Sequence, residues 1–211
     1  MAQRTRIKIC GITTADAARA AATAGADAIG LVLAPTSSRF ISDPVLIETI
    51  IATLPAGVTP VAVVTEISGR QIDLARRFSI ALQVHGAFEE KQIAAIKYPA
   101  PVIRAVQYRR DAITRWDRTA CVHALLVDNT TPGSGVAFDH DALAAFMPSI
   151  RKPVIVAGGL TIAAVAEAIR LVRPFAVDVS SGVESAPGVK DAARIEAFCE
   201  AVRTADQSLV V

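Results

Sequence analysis

Polar side chains that can transfer protons or pair as ions occur at the ends of short apolar segments in this sequence. The segment KICG carries Lys8 and Cys10 two residues apart, just before a glycine. Asp128 ends a second apolar segment, LLVD, and Asp178 lies in a third, FAVDVS. Alternate residues of a β-strand point to one face, so Lys8 and Cys10 share a face. A thiol and a carboxyl group across one opening would form a proton-transfer pair.

The thiol and the carboxyl group each have a structural interpretation as well. Cys10 can be a small buried apolar side chain, as free cysteines often are. Its place at a strand end favours a functional thiol, with Lys8 one layer below to favour the thiolate. Asp128 precedes the polar segment NTTPGSG, where it either starts an Asx turn or serves as a general acid. The pattern alone leaves both interpretations of Asp128 open.

Two turns rich in glycine and serine predict a phosphate site. VAGGL precedes a helix that Thr161 can cap, and VSSGVES follows the last strand. Glycines let backbone N–H groups approach an anion, and a helix N-terminus favours negative charge. The alternative is that the glycines serve only tight turns. The predicted phosphate ligands are Gly158, Gly159, Ser180, Ser181 and Gly182, and the expected partner is a small phosphorylated molecule.

Three further polar residues are predicted to line the same pocket. Arg39, in PTSSRF, either stays solvated or makes a bidentate contact with a carboxylate of the ligand. Gln83 and His85 alternate with apolar residues of their strand, and we expect them to shape the pocket and donate hydrogen bonds rather than titrate. The sequence has no CxxC or HExxH spacing and its three histidines are scattered, which predicts no metal site.

Eight short segments rich in aliphatic residues, each followed by a helical pattern, must position these side chains. They are RIKIC, DAIGLVL, TPVAVV, IALQVH, PVIRAVQ, VHALLVD, PVIVAG and FAVDVS. Strands separated by helices form a parallel sheet, and eight such units predict an α/β fold, a single (β/α)8 TIM barrel over residues 1–211. An open doubly wound sheet is the alternative, but a GxGxxG turn after the first strand is absent. In the seventh helix the predicted apolar stripe is Ile162, Val165, Ala166, Ile169 and Val172.

A closed barrel gives the polar residues a common location. Active sites of such barrels lie at the C-terminal ends of the strands, where Cys10, Asp128 and both glycine-rich turns fall. Because the first and last strands adjoin in a closed barrel, we expect Lys8 and Asp178 to form an internal ion pair. Buried polar groups on an inner face need such partners.

Composition excludes several classes of partner. The formal charge is only +2 and the basic residues form no cluster, which predicts that the protein has no nucleic-acid partner. Its apolar segments are too short to cross a bilayer, and its first residues lack a secretory signal. Its three cysteines are widely spaced, which favours a reducing, cytoplasmic location.

The segments KICGIT, GADAIGLV, SSRFIS, LQVHG, VIVAGGL and RPFAVDVSSGVES occur in this order along nearly the whole chain. Together they closely resemble the phosphoribosylanthranilate isomerase family of tryptophan biosynthesis. The resemblance implies a barrel enzyme without a cofactor that performs an Amadori rearrangement. It also implies that Cys10 is the general base and Asp128 the general acid, that Arg39 faces the anthranilate, and that the glycine pair and SSG turn bind phosphate. Monomer and homodimer both remain open.

The chain departs from the family pattern at four positions, and other activities are alternatives. The departures are Ser38 in place of proline, Pro132 in a shortened loop after strand six, His140 and Ala164. The histidine-pathway aminoaldose isomerase, or a dual-specificity enzyme, is one alternative, although that family has an aspartate where Cys10 stands. A non-catalytic phosphate-binding barrel is another, and the indole-releasing lyase subunit of the same pathway is a third.

Overall fold

The structure is a computed structural model that describes residues 4–67, 69–78, 80–128 and 140–209. Pro132 and the rest of the loop after the sixth strand therefore lie outside the described residues. The strands are β1 (Arg6–Cys10), β2 (Ala28–Val32), β3 (Thr59–Val64), β4 (Ala81–Val84), β5 (Val102–Gln107), β6 (Ala124–Asp128), β7 (Val154–Ala157), β8 (Ala176–Val179), β9 (Glu184–Ala186) and β10 (Val189–Lys190).

The helices follow the strands in alternation, as the sequence predicts. They are α1 (Ala15–Thr23), α2 (Pro44–Ala52), α3 (Arg70–Arg77), α4 (Glu90–Ala95), α5 (Arg110–Arg118), α6 (His140–Phe146), α7 (Val165–Val172) and α8 (Ala192–Ser208), with short 3-10 helices at Met147–Ser149 and Ser181–Val183. Thr14 caps α1 by accepting a hydrogen bond from the N–H of Ala17, and Asp43 caps α2 ahead of Pro44. Both caps satisfy backbone donors that the first turn leaves unpaired.

Strands β1 to β8 close into a parallel barrel in which β1 pairs with β8, so the predicted barrel is confirmed. A small antiparallel hairpin, β9–β10, follows β8 and was not predicted. Apolar side chains fill two layers. One lies between strands and helices, and includes Phe198, Cys199 and Leu125. The other lies inside the barrel and includes Val61, Ile103, Leu126 and Ile155.

The predicted stripe of the seventh helix is wrong at one position. Ala166 is exposed, whereas Ala168 is fully buried beside Ile169 and Val172. Helix α7 packs against both α6 and α8, so its buried face depends on more than one neighbour. Alanine is small enough to lie on either the buried or the exposed face of a helix, so the sequence pattern alone does not show which alanine of α7 is buried.

The two ends of the described chain meet on the barrel face opposite the C-terminal ends of the strands. The backbone N–H and the hydroxyl of Thr5, just before β1, both donate to the carboxylate of Asp206 in α8, at 2.7 Å each. Among the described residues, no helix is both long enough and apolar enough to cross a membrane.

Candidate active site

A cavity of about 270 Å³ opens at the C-terminal ends of the barrel strands, and we call it the mouth cavity. Its lining brings together every predicted site residue except Lys8 and Gly182. The lining residues among those predictions are Cys10, Arg39, Gln83, His85, Asp128, Gly158, Gly159, Asp178, Ser180 and Ser181. The thiol, the carboxyl group and both glycine-rich turns therefore share one opening.

Lys8 and Asp178 form the predicted ion pair beneath the mouth cavity. The register of β1 and β8 places the two residues directly opposite each other, and Lys8 Nζ lies 2.9 Å from Asp178 Oδ1. Both side chains are buried. Burial alone would lower the pKa of Lys8, but the Asp178 carboxylate and the neighbouring Cys10 outweigh it and raise this pKa. Lys8 therefore remains a cation beside the thiol.

The Cys10 thiol is buried, and it occupies space that a side chain at position 30 would otherwise fill. A Cβ atom at Gly30 of β2 would lie 2.6 Å from Cys10 Sγ and 3.0 Å from Lys8 Nζ. Burial raises the pKa of Cys10 more strongly than Lys8 lowers it. Lys8 therefore favours the thiolate, as predicted, but desolvation is the largest single effect on this pKa.

Gln83 and His85 occupy the mouth cavity as a hydrogen-bonded pair. Gln83 Nε2 lies 2.7 Å from His85 Nε2, and the imidazole tautomer sets the direction of this hydrogen bond. Burial lowers the pKa of His85 to about 4, and Lys8 adds to the effect. His85 is therefore neutral at neutral pH, in line with the expectation that it does not titrate in mechanism.

The two glycine-rich turns present backbone rather than side chains to the mouth cavity. Gly158 and Gly159 have φ values of +85° and +68°, which favour glycine, and a Cβ at Gly159 would meet nothing within 4 Å. Gly182 lies behind the cavity wall, where a Cβ would be 2.2 Å from the carbonyl oxygen of Leu160. This contact brings the two turns together, and Gly158, Gly159, Ser180 and Ser181 all line the mouth cavity. The predicted Thr161 cap is wrong for α7, because Thr161 accepts from the N–H of Ala164 in the turn before the helix, whereas the N-cap of α7 is Ala164 itself.

Arg39 is fixed by a residue that the sequence analysis missed. Its Nε and Nη2 donate to the two carboxylate oxygens of Glu184, at 2.6 and 2.7 Å. Its stem lies against Gly11, where a Cβ would be 2.3 Å from Arg39 Cδ. Arg39 is therefore ordered by the protein itself, with the Glu184 carboxylate on one edge of its guanidinium.

Lys190 completes a second buried cluster that the sequence analysis also missed. Its fully buried ammonium donates to Glu184 Oε1 at 2.8 Å and to the carbonyl oxygen of Ser180 at 3.0 Å. Burial would raise the pKa of Glu184, but hydrogen bonds from Arg39 and Lys190 outweigh it and lower this pKa to about 2. The dipeptide Pro187-Gly188 is the turn signal that could have predicted the hairpin carrying Lys190.

A larger cavity of about 560 Å³ borders the mouth cavity and shares His85 and Asp128 with it. Arg104 lines this space from β5, stacks on the Trp116 ring at 4.7 Å and donates to the carbonyl oxygen of Val84 at 2.8 Å. Its guanidinium thereby ties β4 to α5. Among the described residues, no three His, Cys, Asp or Glu side chains form a group that could hold a metal ion.

Comparison with known proteins places this site in a family. A family model described as N-(5'phosphoribosyl)anthranilate (PRA) isomerase matches residues 7–201. The N-(5'-phosphoribosyl)anthranilate isomerase of Chromohalobacter salexigens is 42% identical over 206 residues, which cover 95% of each chain. That of Methanoregula boonei is 42% identical over 205 residues, covering 95% of this chain and 98% of the relative.

Solved structures agree with these sequence matches. The phosphoribosyl anthranilate isomerase of Thermotoga maritima is 35% identical with a TM-score of 0.85, covering 95% of this chain and 99% of its own. Another isomerase structure, in complex with reduced 1-(o-carboxyphenylamino)-1-deoxyribulose 5-phosphate, is 33% identical with a TM-score of 0.82 and the same coverage. The chain is thus similar to these proteins along nearly its whole length.

Proposed function

The chain belongs to the N-(5'-phosphoribosyl)anthranilate isomerase family, and on that premise we propose how its residues carry out the reaction. The enzyme converts N-(5-phosphoribosyl)anthranilate to 1-(2-carboxyphenylamino)-1-deoxyribulose 5-phosphate, a step of tryptophan biosynthesis. The observation that carries the assignment of roles is the shared cavity, because it places Cys10, Asp128 and the two glycine-rich turns around one substrate-sized space.

The substrate phosphate binds between the two glycine-rich turns. Gly158, Gly159 and Ser181 line the cavity, and contact between Gly182 and Leu160 holds the turns together. Backbone donors in such a concave arrangement suit a phosphate without the need for a side-chain cation. With the phosphate held there, the sugar extends across the cavity toward Cys10 and Asp128.

Asp128 acts first, as the general acid. It donates a proton to the ribose ring oxygen, the C1–O bond breaks, and the anilino nitrogen supplies the electron pair that forms a Schiff base. Cys10 then acts as the general base and removes the proton from C2, which leaves an enolamine that tautomerises to the aminoketone. Each such proton transfer is worth about 10² to 10⁴ in rate. Hydrogen moves within one molecule, so the reaction is classed as an intramolecular oxidoreduction.

The charges around Cys10 favour its thiolate form only in part. Lys8 and Lys190 both lower the pKa of Cys10, whereas burial raises it by more. A thiol with a raised pKa is a stronger base once it is deprotonated. His85 is neutral and contributes, with Gln83, hydrogen bonds and shape to the substrate pocket.

We also propose the setting in which the enzyme works. A biosynthetic enzyme with three unpaired cysteines suits the cytoplasm, and residues 1–211 make one barrel domain. One solved relative is described as monomers of a dimeric isomerase from Thermotoga maritima, so both monomer and homodimer are candidate states for this chain.

Substitution of the two proton-transfer residues tests the proposal. We expect Cys10→Ala and Asp128→Ala each to lower kcat by about 10² to 10⁴ or more while circular dichroism and the unfolding midpoint stay near those of the wild type. Cys121→Ala, a half-buried cysteine outside the cavity, is the matched control and keeps full activity. Near-wild-type consumption of phosphoribosylanthranilate by either site variant would refute its assigned role.

A further inference from the structure

The Glu184 cluster (Arg39, Glu184, Lys190 and Ser180) connects both ends of the substrate pocket. Glu184 is 7% exposed and accepts three hydrogen bonds from two cations. Lys190 extends the chain of contacts to Ser180, whose hydroxyl donates to the carbonyl oxygen of Cys10 at 3.0 Å. The loop that follows β2, the turn that follows β8 and the base itself are therefore joined by one partly buried network.

The contact geometry leaves a defined part of Arg39 available. Glu184 occupies the edge of the guanidinium formed by Nε and Nη2. A guanidinium has five N–H donors, so its other edge, formed by Nη1 and Nη2, can still bind a second carboxylate in bidentate fashion. Contact of the arginine stem with Gly11 fixes the direction in which that free edge points.

The charge balance of the cluster favours an anionic ligand. Arg39 and Lys190 contribute two positive charges, and Glu184 contributes one negative charge. The remaining positive charge lies on the wall of the mouth cavity, because Arg39 lines it. A ligand carboxylate at the free edge of Arg39 would neutralise the cluster.

We propose that Glu184 is a positioning residue for the carboxylate end of the substrate: it holds Arg39 so that the free edge of the guanidinium meets the carboxylate of the substrate's aromatic ring. Lys190 supports this arrangement by tying Glu184 to the turn after β8. The inference rests on the proposed function and on the role that the family resemblance implies for Arg39, which is to face the anthranilate. Glu184 itself touches neither the substrate nor the proton-transfer residues in this arrangement.

A double-mutant cycle between Glu184→Gln and Arg39→Met tests the proposal. The measurements are kcat, KM and the Kd of reduced 1-(o-carboxyphenylamino)-1-deoxyribulose 5-phosphate. We expect Arg39→Met to raise KM and Kd by about 10- to 100-fold, as for loss of charge-assisted bonds, and Glu184→Gln to raise both by about 10-fold. Because Glu184 acts through Arg39, the double variant should match Arg39→Met alone. In both single variants kcat should change far less than KM, since the lost interaction is uniform binding.

Two controls distinguish the loss of Arg39 positioning from a general disruption of the fold or of the whole site. The inhibition constant of inorganic phosphate should stay within about twofold in Glu184→Gln, because Lys190 still holds Ser180 there. Glu167→Gln, on the exposed face of α7, is the matched substitution and should leave KM unchanged. Should Glu184→Gln fail to fold, Glu184→Asp replaces it, since aspartate keeps the charge but is too short for the bidentate contact.

Three results would overturn the inference. They are additive effects of the two substitutions, an unchanged KM in folded Glu184→Gln, and equal weakening of phosphate and of the reduced product. In each case Arg39→Met can still raise KM, and both the proposed reaction and the contact of Arg39 with the anthranilate would then stand. An unchanged KM in Arg39→Met would instead refute both the role of Arg39 and the positioning role of Glu184.

Discussion

Gly30→Ala tests whether the space at β2 sets the position of the catalytic thiol. The added Cβ would lie 2.6 Å from Cys10 Sγ, 3.0 Å from Lys8 Nζ and 3.1 Å from Cys10 Cα. An ordinary contact between such atoms is about 3.5 Å or more, so Sγ must move by about 1 Å. The third contact is to backbone, which prevents rotation of the Cys10 side chain alone from relieving the clash.

The size of the effect follows from that displacement. A shift of about 1 Å in a reacting group can cost about 10² in rate, so we expect kcat to fall by about 100-fold. Overpacking inside a barrel costs about 1–3 kcal/mol, which leaves the protein folded. The assay is steady-state conversion of phosphoribosylanthranilate together with urea unfolding at pH 7.

Gly57→Ala is the matched control, because a Cβ at Gly57 meets nothing within 4 Å. We expect that variant to keep the activity and stability of the wild type. A folded Gly30→Ala enzyme with kcat within about threefold of the wild type would refute the argument, since it would show that the thiol tolerates a displacement of this size.

Further predictions concern charge and packing around the same residues. Because burial raises the pKa of Cys10, kcat/KM should still be rising with pH near the ordinary thiol pKa of about 8.5, and a plateau below pH 8 would contradict this. Lys8→Met leaves the Asp178 carboxylate buried without its partner and should cost about 3–5 kcal/mol in urea unfolding, much of it recovered when Asp178→Leu is added. Gly182→Ala forces the Leu160 carbonyl away by backbone movement, so inhibition by inorganic phosphate should weaken about 10-fold or more; unchanged inhibition would separate this contact from the phosphate site.

The residues that strand periodicity controls could be predicted from the sequence. Alternation along β1, β4 and β8 places Lys8, Gln83 and Asp178 on the inner face, and each is buried there. The ion pair between Lys8 and Asp178 follows from closure alone, since closure makes β1 and β8 neighbours and the register puts these two residues opposite each other. Regular repeats of strand and helix therefore carry most of the fold and the layout of the site.

Features that depend on irregular backbone or on the balance of two energies could not be predicted. Glu184 reaches Arg39 across 145 positions of sequence because the β9–β10 hairpin folds back after β8, and no periodicity encodes that turn. The protonation of Cys10 depends on whether desolvation or Lys8 is stronger, which requires the actual burial of the thiol. The buried face of α7 likewise depends on how the helix packs against α6 and α8.

The hydrogen bonds between Thr5 and Asp206 have a consequence for engineering. They bring residue 5 next to residue 206 on the face away from the mouth cavity, so a short linker can join these two positions while the chain is opened in a loop elsewhere. A permuted chain built this way keeps every strand neighbour of the barrel. A fusion partner attached at this face would stand clear of substrate entry and product exit.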